Sequence, residues 1–262
     1  MKVYVCSRFN HNDEFLFEHF MDYYLKLGVH KFLINFNYKI EDEKENFEKF
    51  INYVINSKYI DNIIYNIGPN FEFLNETSNL VMLKELINKN TNIEEDYIIP
   101  ADSDEFQEFP DTLQYILQMM EKEGLYYLDG CTKERVSETG EAIMVEKDKD
   151  IFEQFPKFNN NLFCQPKIGL IKAKYFKYMG VGHHGIGYTG SEHLSNEDKQ
   201  CILAKSKRVV QTNHFRWNIQ GKRRIENWIT LFKNKKYNGW FDINKYEKML
   251  NVFNLNLLEY NK

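Results

Sequence analysis

Asp102-Ser103-Asp104 sets two carboxylates one residue apart, directly after the apolar run Tyr97-Ile98-Ile99-Pro100-Ala101 and just before Glu105-Phe106. A strand that ends in acid-x-acid delivers both carboxylates to the C-terminal edge of a sheet, where hard oxygen ligands meet a divalent cation and a phosphate ester. The chemistry this suits is group transfer at a diphosphate. A Mg²⁺ or Mn²⁺ ion held mainly by Asp104 would bridge the diphosphate oxygens and neutralise charge on a departing nucleotide, while Asp102 would complete the metal shell or contact the ribose. The competing reading is a set of solvated acids capping the next helix. Position favours the first, because the triplet ends a strand at the close of an α/β run. As a strand-end acid Asp104 is expected to be exposed, so that Asp104→Ala would remove the metal and leave the fold intact.

Two further constellations could work with these acids. His183, His184 and His214 are three of the seven histidines. His214 is the most pointed of them: Val209-Val210-Gln211-Thr212 reads as a strand that delivers it, and Arg216, Trp217 and Lys222-Arg223-Arg224 follow. A neutral His214 imidazole completing a metal site with Asp102 and Asp104, with Arg216 facing the diphosphate, is chemically sensible. The run Lys222-Arg223-Arg224 by itself reads as a solvated helix face. Glu134-Arg135 and Glu138 follow a strand that ends at Asp129, in what reads as a turn. Such a turn suits a general base taking a proton from an acceptor hydroxyl, and Asp129, Glu134, Glu138 and Glu192 compete for that role.

The elements that must position these residues alternate through the first half. Residues 2–7 read as a buried strand and 13–27 as a helix, with Leu16, Phe20, Tyr23 and Leu27 on one face. Asn12 is its expected N-cap, Asp13 and Glu14 suit the positive end of the helix dipole, and Gly28 is placed to stop it. A strand over 31–35, a charged helix over 41–57, a strand over 62–67, a helix over 75–90 with Leu80, Leu83 and Ile87 inward, and the strand ending at Asp102 follow. This order predicts an α/β fold with a mostly parallel sheet and helices on both faces. Its ligand belongs at the carboxyl ends of the strands, where Ser7, Arg8 and Asn12 fall together with Asp102 and Glu105.

The second half is less regular: a helix over 111–122, a strand over 125–129, a turn-rich stretch, and a Gly/His-rich segment over 179–190 that holds five of the 13 glycines. That segment reads as a loop that is either mobile or approaches something closely. Trp240, Phe241, Tyr246 and Phe253 are expected to pack on the domain.

Composition narrows the classes. At 262 residues the chain is long enough for one large α/β domain, and a formal charge of −4 argues against a nucleic-acid binder. Cys6, Cys131, Cys164 and Cys201 form no C-x-x-C pair, so buried free thiols in a reducing compartment are expected. No stretch reads as a signal peptide or a membrane span, which points to a cytoplasmic protein. Aromatics at 16% exceed what the core needs, and some of them suit stacking on a sugar ring.

Several segments together resemble the bacterial glycosyltransferase family 2-like proteins, which have a metal-dependent GT-A fold. Asn12-Asp13-Glu14-Phe15-Leu16, Tyr23-Tyr24 and Leu27-Gly28-Val29 are similar to that group's first helix, its Tyr-His pair and its Leu-Gly-Val turn, with Asp13 where Glu is usual and Tyr24 where His is usual. Asp102-Ser103-Asp104-Glu105-Phe106 is similar to its Asp-x-Asp-Glu-Phe, and Glu134-Arg135-Val136 with Gly140 to its Asp-Arg and Gly turn, with Glu replacing Asp. Phe152-Glu153-Gln154-Phe155-Pro156, Gly182-His183-His184 and His214-Phe215-Arg216-Trp217 resemble later motifs, in order over about residues 1–230.

The resemblance implies a Rossmann-like, three-layer GT-A domain over 1–262. Its nucleotide-sugar half would cover about 1–106, its irregular acceptor half about 107–235, and a C-terminal helical extension about 236–262. It also implies a nucleoside diphosphate sugar donor, a divalent metal at Asp102, Asp104 and His214, and transfer to a glycan, lipid-linked sugar or protein acceptor. Polysaccharide biosynthesis and a peripheral membrane association are compatible with that. Donor contacts would come from Ser7, Arg8, Asn12, Asp13, Asp102, Arg135, His184 and Arg216, and the general base from Asp129, Glu134 or Glu138. The alternatives are a metal-dependent nucleotidyltransferase or phosphohydrolase, for whose phosphate substrate the sequence shows no Gly-rich loop after the first strand, and a non-catalytic nucleotide- or carbohydrate-binding module.

Overall fold

Three β/α steps and a fourth strand build one half of the sheet. In the computed structural model, which describes residues 1–38, 43–68, 76–160, 162, 166–180, 183, 185–186, 195–234 and 243–260, these are β1 (Val3–Phe9), α1 (Glu14–Leu27), β2 (Lys31–Phe36), α2 (Lys44–Ile55), β3 (Ile63–Ile67), α3 (Glu76–Asn90) and β4 (Tyr97–Pro100). Strands β3-β2-β1-β4 are all parallel, as helical crossovers require. The strands are apolar on both faces: Val3, Val5 and Phe9 of β1 pack with α1 and α2, while Tyr4 and Cys6 pack with Leu80, Leu83 and Ile87 of α3.

The other half departs from the expected parallel sheet. It comprises β5 (Glu105–Glu108), α4 (Leu113–Glu123), β6 (Tyr127–Val136), the short α5 (Ile151–Gln154), β7 (Lys157–Phe158), β8 (Pro166–Lys172), α6 (Asn196–Leu203), β9 (Ser206–His214), α7 (Ile219–Lys233) and α8 (Ile243–Val252). The sheet order is β3-β2-β1-β4-β8-β6-β9-β5, with β7 beside β6. Of the joins in this half only β6–β9 is parallel, so the sheet is mixed. Only residues 101–104 separate β4 from β5, yet three strands lie between them in the order. Four strand spacings of a flat sheet span about 19 Å, which a four-residue turn cannot reach, so the sheet curls back on itself there.

Several boundaries differ from expectation for local reasons. Gly28 ends α1 at φ +94°, as expected, but Asp13 rather than Asn12 is its N-cap, and a 3-10 turn (His11–Asp13) precedes it, capped by Asn10, whose Oδ1 accepts the Asn12 N–H at 2.7 Å while Asp13 Oδ2 accepts the Asn10 N–H. The buried face of α1 is Leu16, Phe17, Phe20, Met21 and Tyr24, so Tyr23 and Leu27 flank the core instead of filling it. Strand β6 runs on through 133–136, the stretch read as a turn, which begins only at Ser137. Of the cysteines described, Cys6 is buried but Cys131 and Cys201 are exposed, and all three are free.

Helix α8 lies on α7. Phe253 meets Trp217 at 4.7 Å between ring centroids and Tyr246 meets Trp228 at 5.5 Å, so these aromatics pack on the domain as expected. Trp240 and Phe241 lie outside the described residues, as does most of the Gly/His-rich segment. At the base of that segment Met179 bridges Ile186, the Gly180 N–H donates to Gly185 O, and His183 takes a left-handed φ of 61°. No helix among the described residues is long and apolar enough to cross a membrane.

Candidate functional site

Three strands bring the central residues into one row. His214 is the last residue of β9, with Glu105 opposite it on β5 and Glu134 opposite it on β6. In-register neighbours on adjacent strands share a face, and the Glu134 carboxylate accordingly meets His214 Nδ1 at 2.9 Å. Its other oxygen accepts the Trp217 indole N–H at 2.7 Å. Strand β5 is held from its far side by α1: Tyr24 donates its hydroxyl to Glu105 O and accepts the Gln107 N–H, and Tyr23 donates to Gln107 O. These bonds occupy edge groups that would otherwise be buried unpaired.

The acid-x-acid turn enters this row from the end of β4, and its two carboxylates diverge. Asp104 faces His214 Nε2 at 3.3 Å and accepts from Arg224 at 2.9 Å, and Arg224 also donates to Asp13 at 2.6 Å. Asp102 lies 3.6 Å from Arg8 Nε and 3.4 Å from Lys167 Nζ, and Lys167 sits 2.7 Å from Glu105. The expectation of an exposed Asp104 is corrected: the residue is 5% exposed and ion-paired. Removing its side chain would leave Arg224 buried beside a missing partner, so Asp104→Ala tests folding as much as ligand binding.

The charges come close to balance. Asp13, Asp102, Asp104, Glu105 and Glu134 give five negative charges, and Arg8, Lys167, Arg216 and Arg224 give four positive ones. A protonated His214 supplies the fifth. Burial works against that proton, but Glu134 and Asp104 outweigh burial and Arg216 and push the His214 pKa up to about 9. The imidazole thus carries a proton near neutral pH, which a metal ion taking Nε2 would have to displace. Burial likewise opposes the ionised Asp104, but His214, Arg224 and Arg216 hold it well below the usual carboxylate range. Lys167, then Arg8 and His183, do the same for Asp102 against its own burial. Glu105 goes the other way, raised by burial and by Asp102 against the pull of Lys167.

One group of three ligands among the described residues, and one further nitrogen, bear on a divalent ion. Ligand atoms of Asp102, Glu105 and His183 come within 4.8 Å of one another. Separately, His214 Nε2 is buried without a hydrogen-bond partner among the described residues, since its approach to Asp104 Oδ1 has ion-pair distance but not hydrogen-bond geometry. With Nδ1 held by Glu134, that ring is oriented as metal-bound histidines are, the second nitrogen fixed by a carboxylate. Oxygen-rich donors with one imidazole fit Mg²⁺ or Mn²⁺ better than a softer metal.

The remaining expected residues divide. Ser7, at the end of β1, has a buried hydroxyl with no hydrogen-bond partner among the described residues. Arg8, Asp13 and Arg216 belong to the charge network, although Asp13 does so through Arg224 and not by facing a ligand directly. Asn12 lies in the turn that begins α1. Arg135 stands beside the row, donating to Asn213 at 2.8 Å and lying over the Phe152 ring at 5.3 Å. Asp129 and Glu138 lie outside the cluster: Asp129 pairs with Arg208 at the far end of β6, and the exposed Glu138 pairs with Lys157. Glu134 has both oxygens engaged, which makes it a positioning residue for His214 in place of a free base. His184 and Glu192 lie outside the described residues.

Lys167 and Arg224 escaped the sequence reading. Lys167 had no signal beyond a lysine between apolar residues in a strand. Arg224 was hidden in a basic run, although the buried Ile225 and Ile229 beside it and Trp228 four residues on, whose ring it lies over at 5.4 Å, mark the inner edge of the helix.

No protein-family model matches the chain, and no curated protein matches it. Among solved structures it is similar to mannose-6-phosphate isomerase from Helicobacter pylori, at 16% identity over 68% of this chain and 73% of that one with a TM-score of 0.33. It is similar to HddC from Yersinia pseudotuberculosis at 11% identity, over 86% and 97% of the two chains, with a TM-score of 0.38. A UDP-glucose pyrophosphorylase complexed with UDP-glucose is similar at 11% identity, over 82% and 91%, with a TM-score of 0.35. Scores this low leave the functional reading to the residues themselves.

Proposed function

We propose that this chain is a GT-A glycosyltransferase that moves a sugar from a nucleoside diphosphate donor to a glycan, lipid-linked or protein acceptor. One observation carries the reading: the acid-x-acid turn leaves β4 beside the end of β1 and meets His214 and four cations there. The carboxyl ends of the strands are where α/β sheets generally bind nucleotides. A divalent ion bound at Asp102, Asp104 and His214, or at Asp102 with Glu105 and His183, would supply Lewis-acid stabilisation of the leaving diphosphate. Arg8 and Arg216 would meet phosphate oxygens, and Glu134 holds the His214 ring so that Nε2 faces Asp104. The motif order shared with the glycosyltransferase family 2-like proteins supports the same reading.

The test is thermal stability with UDP, GDP, CDP, dTDP and their sugar conjugates, each with and without Mn²⁺, on wild type and Asp104→Asn. The Asn variant keeps an oxygen for Arg224. One nucleoside diphosphate should raise the midpoint in a way that needs both Mn²⁺ and Asp104; saturation at a hundred times Kd corresponds to about 2.7 kcal/mol. Absence of any metal-dependent shift would defeat the reading, and pyrophosphate release from a nucleoside triphosphate would replace it with nucleotidyl transfer.

A further inference from the structure

Lys167 occupies the place where a metal would enter. Its ammonium is 2.7 Å from Glu105 Oε1 and 3.4 Å from Asp102 Oδ2, and its side chain is 7% exposed. Those two carboxylates, with His183, form the set whose ligand atoms lie within 4.8 Å of one another. The other oxygens are engaged as well: Asp102 Oδ1 faces Arg8, and Glu105 Oε2 accepts the Asp102 N–H at 3.3 Å. Mg²⁺ takes its oxygens at about 2.0–2.1 Å and prefers about six ligands. An ion drawing on Asp102 and Glu105 would therefore stand within contact distance of the ammonium and repel it.

We propose that Lys167 is a resident cation that competes with the divalent ion for Asp102 and Glu105. Metal enters only as the ammonium withdraws. The inference deepens the metal part of the function proposed above and rests on that reading only for the identity of the competing ion.

Charge count gives the proposal its sign. Asp102 and Glu105 carry two negative charges against two positive ones on Arg8 and Lys167, so the pair is already neutralised. A bare divalent ion entering that balance adds two uncompensated charges, which a bound diphosphate would offset. Lysine suits such a role because its compact ammonium sits on a flexible four-carbon stem that can swing aside, whereas a forked guanidinium would be locked in place. Neutralising Lys167 should convert a weak metal site into a strong one.

The experiment titrates the full-length chain with Mn²⁺ alone and reads free ion by its electron paramagnetic resonance signal, in wild type and Lys167→Met, with circular dichroism to establish folding. Lys167→Met should bind Mn²⁺ at least tenfold more tightly than wild type. Lys167→Gln, which keeps a hydrogen-bond donor for Glu105 without the charge, carries the same expectation if the Met variant does not fold. A folded variant that binds Mn²⁺ no more tightly than wild type would overturn the proposal. Tighter Mn²⁺ binding with no nucleotide stabilising the wild type would uphold Lys167 and bring down the glycosyltransferase reading. Nucleotide stabilisation with unchanged Mn²⁺ affinity would do the reverse.

Discussion

Asp102 and Asp104 stand one residue apart but belong to two different charge networks. Asp102 shares a flexible ammonium with Glu105 and lies at the partly exposed end of β1 beside Arg8, whereas Asp104 is fixed between an imidazole and a guanidinium that also holds Asp13. The first arrangement turns on an ammonium carried by a flexible stem. The second is tied to three elements, and moving any part disturbs β9, α7 and the start of α1 together. A motif read as one unit thus sends its two carboxylates into two separate sets of partners.

The sharpest way to break this contrast is Arg224→Met. It leaves Asp13 and Asp104 buried without their shared cation, and loss of one partner of a buried ion pair costs about 3–5 kcal/mol. Urea denaturation should show a drop of that order, and a loss below 1 kcal/mol would mean that the Asp104 network holds nothing together.

A smaller effect is expected from pH. The His214 pKa is raised to about 9 in the fold, against about 6.5 for an unperturbed imidazole. Because it is raised, the folded state holds the proton more tightly than the unfolded chain does. The stability it gives is therefore full below about pH 6.5 and fades as pH rises through 9, by up to about 3 kcal/mol. Glu134→Gln removes the largest favourable charge, so NMR titration of His214 in that variant should give a lower pKa. The metal-free protein should also lose less stability between pH 6.5 and 9. An unmoved His214 pKa would uncouple Glu134 from the row.

The smallest effect is expected at Asp129→Asn. Its partner Arg208 is 64% exposed, and exposed pairs contribute about 0–1 kcal/mol. Stability should change by less than 1 kcal/mol and nucleotide-dependent stabilisation should persist. Loss of that stabilisation would return Asp129 to the site.

The parallel half was legible because its signals are local. Apolar strands, the Leu80, Leu83 and Ile87 face of α3 and the Gly28 stop depend on spacing of a few residues, and each appears where the pattern put it. The acid-x-acid turn and His214 were legible for the same reason, each following a strand-like run. The second half was not: β5 reads Glu-Phe-Gln-Glu, with little to announce a strand, and it exists because β9 on one side and Tyr23 and Tyr24 on the other take up its backbone. The burial of Asp104 was missed because its causes, Arg224 and His214, lie more than a hundred residues away.

That distance has a consequence for how the chain comes to be made. The Asp13–Arg224 contact joins residues 211 positions apart. A chain growing from its amino end completes β1 to β4 long before α7 emerges. During that interval Asp13 and Asp104 have only solvent and salt to neutralise them, and β5 has no β9 to pair with. The early half can collapse around its aromatic core, but the charge cluster waits for the last third of the molecule. Synthesis thus yields scaffold first and charge cluster last, so a truncated chain should be able to form its parallel strands without assembling that cluster.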